Sequence, residues 1–419
     1  MTDYTQRKYD LVVFGATGFT GELTCEYLIE IKDKDLKWAI AGRSLKRLES
    51  VKERLVKLDS SLQDLELLIA DSNDADSLDK VLKQTRVVIS TVGPFIKYGT
   101  LLVEACVRQQ THYVDTTGEY PWVKQLIDKY DQEAKDNHVM IVPTCGFDSV
   151  PSDLGCYMLS KYAHEKHQLD LAQVKMSVMK IKGGVSGGTI QSSVGIMMDS
   201  PLSTQEQMDP YLLVSSTRHG VDKPYLPFIT RDADFNDTWQ TFFFMSVVNE
   251  KVVRRSWSIW AERGHGYGSL FSYREYMRLP FISAILYTCT LFTLLPLFLL
   301  LLKVPVLNTI IKDLLPGTGS GPSREKRANG MFELQFVGTT ETEPYDEPVR
   351  IRGIVKGFRD PGYGDTCRMV AESALSIVHH LDELPGKEGG LLTPATAFGD
   401  VLINRLTQNQ GMVFEVNDM

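Results

Sequence analysis

Six short apolar runs fall within the first 150 residues, each followed by a stretch with helical spacing. They read YDLVVFG (9–15), KWAIAGR (37–43), LELLIAD (65–71), RVVISTVG (86–93), THYVDTTG (111–118) and HVMIVPT (138–144). Such runs suit strands buried on both faces of a sheet. Between them, segments such as ELTCEYLIEIK (22–32) and LKRLESVKERLVKL (45–58) place apolar residues for one helical face. Strand–helix repetition of this kind predicts parallel strands with crossover helices, so residues 1–150 are expected to form a doubly wound α/β sheet.

After Pro151 the rhythm changes. AQVKMSVMKIKGG (172–184), TWQTFFFMSVV (238–248), GMFELQFVGTTE (330–341) and EPVRIRGIVKG (347–357) alternate apolar with polar residues. That period suits an antiparallel sheet with one covered face, and predicts a second, α+β domain over 151–358. PGTGSGPSREKR (316–327) reads as a surface loop. Helical patterns at TCRMVAESALSIVHHL and AFGDVLINRLTQ precede a short apolar MVFEV.

The first strand runs into VVFGATGFTGELT, which places Gly15, Gly18 and Gly21 where a strand turns into a helix. The first glycine permits the turn, the second lets backbone amides approach a pyrophosphate, and the third lets helix and strand pack closely. The spacing GxxGxxG is a variant of GxGxxG, and its position in a strand–turn–helix unit points to a dinucleotide. Gly15, Thr17, Gly18, Phe19, Thr20 and Gly21 are therefore the expected cofactor loop. The second strand ends in AIAGRS, with Arg43 and Ser44 where an NAD site would place Asp or Glu. A guanidinium and a hydroxyl suit the 2′-phosphate of NADP, so NADP(H) is the expected cofactor. Asp71 ends the third strand, placed either near an adenine or as a helix N-cap. Gly93 and Pro94 end the fourth, where the backbone would approach ribose and nicotinamide or simply turn.

A net charge of −8 argues against a nucleic-acid partner, since a phosphate backbone demands a basic face. The six cysteines are scattered without CxxC or His-paired spacing, which predicts reduced thiols and no metal site. MTDYTQRKYD lacks the apolar core of a secretory signal, so a protein that is not secreted is expected.

In order, GATGFTG, AGRS, STVGPF, YVDTTGE and CGFDSVPSDLG make the sequence resemble the saccharopine dehydrogenase-like oxidoreductases. It also resembles the trans-acting enoyl reductases of bacterial lipid synthesis. GGTIQSS, VKGFRDPGYGDT and GGLLTPATAFGDVLINRL extend the likeness over most of the chain. The resemblance implies an N-terminal NADP-binding Rossmann domain and an inserted α+β substrate domain. It also implies that a C-terminal segment, 359–419, packs back on the first domain. Saccharopine carries three carboxylates and would call for convergent arginines. Arg218, Arg231, Arg254 and Arg255 form no recognisable cluster in the sequence; the second domain offers instead a long apolar segment, which fits a lipid-like substrate better.

Chemistry is expected at the carboxyl ends of strands five and six, where α/β sheets place ligands. DTTGE presents Asp115, Thr117 and Glu119; PTCGFDSVPSD presents Cys145, Asp148, Ser149 and Asp153. Asp115, Glu119 and Asp148 are the expected catalytic contacts, with the loop 145–149 lining the nicotinamide pocket. Helix capping or loop hydrogen bonds remain the alternative for each acid. A rival acid is Tyr157, in the Tyr-x-x-x-Lys of YMLSK (157–161). GGVSGGTIQSS (183–193) reads either as a closing loop over substrate or as a plain connection.

Residues 279–302, LPFISAILYTCTLFTLLPLFLLLL, carry no charge and are long enough to cross a bilayer as a helix. Their 15 Leu, Ile and Phe residues would favour insertion by roughly 5–9 kcal/mol. A single crossing conflicts with strands on both sides that belong to one sheet. The expectation is therefore an interface-lying helix or hairpin bent near Pro296, on the cytoplasmic face of a membrane or a lipid droplet. A helix hidden in a dimer interface is the alternative, and a homodimer is expected from the resemblance and this apolar surface. The whole reads as a membrane-associated NADP-dependent oxidoreductase acting on a carbonyl or enoyl group. A lipid-surface scaffold that keeps the dinucleotide fold without turnover is the competing reading.

Overall fold

A computed structural model of the chain describes residues 6–184, 202–215, 228–294, 297, 321–343, 345–408 and 411–419. In chain order the elements begin β1 (Tyr9–Phe14), α1 (Phe19–Ile31), β2 (Trp38–Gly42), α2 (Leu45–Leu58), β3 (Glu66–Ile69) and α3 (Ala75–Leu82). Next come β4 (Thr85–Ser90), α4 (Phe95–Tyr98), α5 (Thr100–Gln109), β5 (His112–Asp115), α6 (Tyr120–Asp136), β6 (Met140–Val142) and α7 (Val150–Tyr162). Then follow β7 (Leu171–Lys182), α8 (Thr204–Met208), β8 (Ile229–Asp232), β9 (Thr238–Phe242), α9 (Ser246–Glu262), β10 (Ser272–Arg278) and α10 (Phe281–Cys289). The chain closes with α11 (Arg324–Ala328), β11 (Met331–Thr340), β12 (Arg350–Gly357), α12 (Thr366–His380), β13 (Gly390–Leu391), α13 (Pro394–Thr407) and β14 (Val413–Asp418).

Two compact units result: residues 1–150 with 360–411, and residues 151–359 with 412–419. In the first, every strand pair is parallel and the order is β13-β6-β5-β4-β1-β2-β3. The order reverses direction between β1 and β4, which opens a crevice at their carboxyl ends. Leu11, Val12 and Val13 of β1 are fully buried, as an apolar run between two helical layers requires. Helix α12 packs on β4, β5 and α1, and its residues from Thr366 to Val378 are all buried. Its Glu372 accepts from the Tyr27 hydroxyl at 2.7 Å and from Arg405 Nε at 2.8 Å. The strand β13, too short to show a pattern in the sequence, adds a seventh strand beside β6.

The second unit is built on a sheet of order β14-β12-β11-β7-β10-β9-β8. It is largely antiparallel, as the alternating pattern predicts, with one parallel pair, β7 and β10, that makes it a mixed sheet. Helix α9 stretches between β9 and β10, where the sequence pattern suggested a strand running to 248. Helix α7 lies close on β11: a Cβ on Gly155 would stand 2.4 Å from the Phe336 ring. The last strand, β14, pairs with β12, so residues 412–419 belong to this unit and not with the rest of 359–419.

Helix α10 opens the apolar stretch and packs one face on β9. Phe281 meets the Trp239 ring at 4.5 Å, Thr288 shares a 2.9 Å hydrogen bond with Thr241, and Ala284 is buried. The opposite face is open, with Ile282 72% and Leu286 64% exposed. Among the described residues no helix is long and apolar enough to cross a membrane. Pro296 and the bend expected there lie outside the described residues, as do 185–193 of the expected closing loop.

Candidate dinucleotide site

The glycine turn joins β1 to α1 with Gly15 at φ +94°, a conformation that side-chain-bearing residues rarely adopt. A Cβ on Gly15 would press to 2.7 Å from Val92 Cγ2, and one on Gly21 would stand 2.3 Å from the Gly15 carbonyl. The third glycine thus allows the helix to lie against its own turn. Gly18, the N-cap of α1, has no side chain to cap the helix, so the Thr20 and Gly21 amides have no intrahelical acceptor. That end of the helix is suited to a phosphate. The Phe19 ring instead leans edge-on against Tyr363 at 5.2 Å.

Beside this turn a cleft of about 360 Å³ is lined by Thr17, Arg43, Ser44 and Arg47. Ser44 is the N-cap of α2, yet its hydroxyl makes no capping bond. Arg43 precedes the N-cap and Arg47 lies in the first turn of α2; both are exposed, and among the described residues neither is tied into an ion pair. The sequence pattern did not single out Arg47; its signal was its place in the first turn of the helix that follows Arg43 and Ser44. Asp71 does not cap α3; Asp74 does, accepting from the Asp76 and Ser77 amides. Asp71 closes a turn of its own, accepting from the Asn73 amide at 2.9 Å.

The loop after β4 carries Gly93 and Pro94, joined by a cis peptide bond. Gly93 is exposed, with nothing nearer to a built Cβ than the Phe95 ring at 3.7 Å. Glu119 fixes this loop from below: its two carboxylate oxygens accept from the Phe95 and Ile96 amides, each at 2.9 Å. Asp115 is also committed to structure. It accepts from the Tyr113 hydroxyl at 2.7 Å, the Thr117 amide at 2.9 Å and the Thr144 amide at 3.1 Å, tying the loop after β5 to the one after β6. Burial pushes its carboxyl up to about 7 against the pull of those donors.

The turn after β6 differs. Phe147 is anchored by its amide to Thr366 at 3.0 Å, and Cys145 is buried with its thiol turned to the Val142 carbonyl. Asp148 Oδ1 and Ser149 Oγ are both buried, and neither has a hydrogen-bond partner among the described residues. Asp148 Oδ2 lies 3.9 Å from the position of a Cβ on Gly118. Burial alone pushes the Asp148 carboxyl up to about 7.

Other sequence candidates take structural places in the second unit. Asp153 is buried and accepts from the Ser256 hydroxyl. The Tyr157 ring stacks on Trp260 at 5.6 Å, and Lys161 pairs with Glu165 at 3.7 Å. Arg254 pairs with Glu250, Arg255 donates to the Leu213 carbonyl and Arg231 to that of Asp237. Arg218 lies outside the described residues. Among the described residues no group of three His, Cys, Asp or Glu side chains is placed to hold a metal ion.

Residues 11–142 match the saccharopine dehydrogenase NADP-binding domain. A Mycobacterium tuberculosis protein provisionally named a trans-acting enoyl reductase is 34% identical over 425 residues, covering 96% of each chain. The trans-acting enoyl reductase of Mycobacterium ulcerans is 30% identical over 436 residues, again covering 96% of each. Among solved structures, the apo saccharopine dehydrogenase (L-Glu forming) of Saccharomyces cerevisiae aligns with 98% of this chain and 100% of its own. The TM-score is 0.54 at 13% identity, a likeness of fold. The Thr20 and Gly21 amides at the start of α1, the positive-φ turn and Arg43, which has no ion pair among the described residues, fit the dinucleotide that the matched domain binds. With a Rossmann sheet, an NADP cofactor and relatives alike from end to end, the chain belongs to the saccharopine dehydrogenase-like oxidoreductases.

Proposed function

We propose that this protein uses NADPH to reduce a carbonyl or enoyl group of a lipid-like substrate, at the cytoplasmic face of a membrane or on a lipid droplet. Its relatives carry the name enoyl reductase, which supports the reaction class. The observation that carries the lipid reading is the open apolar face of α10, where Ile282 and Leu286 stand one turn apart in a stretch without charge. Isolated exposed apolar residues are ordinary on protein surfaces, but a continuous uncharged face marks an interaction site.

In this reading Arg43, Ser44 and Arg47 take the 2′-phosphate by charge-assisted hydrogen bonds, with Thr17 beside them. The turn Gly15–Gly21 takes the pyrophosphate on the amides of α1. Gly93 and Pro94 border ribose and nicotinamide; Asp71 holds the turn on the adenine side. Bound NADPH supplies a hydride. Glu119 and Asp115 keep the loops after β4, β5 and β6 in place, and the loop 145–149 lines the nicotinamide pocket.

The test is NADPH oxidation by the purified protein with trans-2-enoyl thioesters and long-chain ketones, with and without phospholipid vesicles. Turnover of either class, raised by vesicles, supports the reading. NADPH binding and vesicle binding without turnover of any of these would favour the scaffold instead. Self-association in place of vesicle binding would assign the apolar face to a homodimer.

A further inference from the structure

Of the three acids expected as catalytic contacts after β5 and β6, two are consumed by the fold. Glu119 spends both oxygens on the Phe95 and Ile96 amides, and Asp115 holds three donors. Asp148 spends none: its Oδ1 is sealed from solvent and has no partner among the described residues, and the same holds for Ser149 Oγ beside it. Buried polar atoms are paired with few exceptions, and two adjacent orphans in one turn call for a ligand that completes them. The turn is stiffly held by the Phe147–Thr366 bond and by the Ser149 and Val150 amides, which donate to the Thr144 and Gly146 carbonyls. Its place is after β6, on the β4–β5–β6 side of the crevice opposite the strand that carries Arg43. A dinucleotide that anchors its 2′-phosphate at Arg43 extends its nicotinamide half toward that side.

We infer that Asp148 is the acid of the site, lying against the nicotinamide ring and delivering the proton that accompanies hydride transfer, with Ser149 Oγ hydrogen-bonding the same ligands. The inference rests on the proposed NADPH-dependent reduction. As the substrate's double bond breaks, one of its atoms receives the hydride and its two electrons. The neighbouring atom keeps the π pair and takes the proton from Asp148. The resulting carboxylate regains a proton from solvent, so NADPH, one proton and the substrate become NADP⁺ and the reduced product. A group that donates near pH 7 must hold its proton there, and the burial of Asp148 provides for that.

The titratable groups on the elements around this turn include Cys145 within it, Tyr113, Asp115 and Glu119 from β5 and the loop after it, and Asp365, Cys367 and Arg368 at the start of α12. Asp115 is raised to the same range, so it is the competitor to be distinguished. The probes are NADP⁺ and NADPH themselves, which differ by one positive charge on the nicotinamide ring. A ring cation beside Asp148 favours its carboxylate, so NADP⁺ binding is tightened as pH rises and NADPH binding is not. Titration of the 2′-phosphate affects both cofactors equally and cancels in the ratio.

The experiment measures Kd for both between pH 6 and pH 8, in wild type and Asp148→Asn. The expected result is a Kd ratio, NADP⁺ over NADPH, that falls about tenfold across this range in wild type and stays flat in the variant. A ratio that is flat in wild type, or that still falls in Asp148→Asn, overturns the assignment. Should the variant not fold, infrared difference spectra of the wild type decide: NADP⁺ at pH 7 should abolish a protonated-carboxyl band that NADPH leaves in place. Persistence of that band with NADP⁺ would remove Asp148 from the ring. Absence of binding by either nucleotide would instead remove the cofactor reading and this inference with it.

Discussion

Thr366 Oγ1 accepts a hydrogen bond from the Phe147 amide at 3.0 Å, joining the first residue of α12 to the turn after β6 across 219 residues of sequence. The same hydroxyl donates to the Pro361 carbonyl at 2.7 Å. Thr366→Val keeps the shape and removes both bonds, taking the hydroxyl acceptor from a buried amide at a cost of about 1–3 kcal/mol. The melting temperature should fall by about 2–4 °C for each kcal/mol, and Thr366→Ser should restore it. Thermal melts of the two variants check this; a valine variant as stable as wild type would show that the bond contributes nothing.

Arg43 and Arg47 offer two cations to a phosphate that NADPH has and NADH lacks. A charge-assisted hydrogen bond is worth about 1.5–3 kcal/mol, so Arg43→Ala should weaken NADPH about 10- to 100-fold and leave NADH nearly unchanged. Arg47→Ala should act in the same direction, with a weaker salt dependence of NADPH binding than wild type. Nicotinamide fluorescence titrations give the constants, and equal weakening of both cofactors would dismiss the 2′-phosphate role.

Gly21 and Gly18 should respond differently to the same methyl group. A Cβ at Gly21 lands 2.3 Å from the Gly15 carbonyl and 2.7 Å from Thr91 Oγ1, whereas at Gly18 its nearest neighbour is 3.3 Å away. Gly21→Ala is expected to destabilise the first unit by about 1–3 kcal/mol through overpacking. Gly18→Ala should melt close to wild type but bind NADPH less tightly, because the added carbon stands at the helix end the pyrophosphate approaches. Urea unfolding and NADPH titration separate the two effects.

Glu275 makes stability depend on pH in the second unit. Burial pushes its carboxyl to about 8, although the Asn249 amide and the Tyr273 hydroxyl donate to it at 2.9 and 2.8 Å. The folded chain therefore holds a proton that the unfolded chain releases near 4.5. The stabilisation is complete below 4.5 and is lost as pH rises through 8, by at most about 1.4 kcal/mol per pH unit. Glu275→Gln should flatten the fall of melting temperature above pH 7, while Asp115 and Asp148 keep a slope below it. Melting curves at intervals from pH 5 to pH 8 test this, and superimposable profiles would refute it.

Ile282 and Leu286 are spaced to enter a lipid surface together. Burying each side chain is worth about 1.5–3 kcal/mol, so the double variant Ile282→Glu, Leu286→Glu should lower vesicle binding at least 100-fold. NADPH affinity should stay as it is. Vesicle flotation with both proteins settles the matter, and equal flotation would free α10 from any role at a membrane.

Periodicity and glycine spacing were enough to read the first sheet and its cofactor turn. A strand buried on both faces shows as an apolar run wherever it lies, and Gly15 and Gly21 are required by atoms only a few residues away. The same local logic placed Arg43 and Ser44 at the end of β2. It failed for β13, whose two residues carry no period, and for the parallel pairing of β7 with β10, because strand direction depends on how segments far apart in the sequence come together. It also failed to rank Asp115, Glu119 and Asp148, three acids in similar loops. Their difference lies in which donors meet them, the Phe95 and Ile96 amides for one and Tyr113 and Thr144 for another. Whether a carboxylate is spent or free is decided by contacts between segments distant in sequence, and only the tertiary structure brings those together.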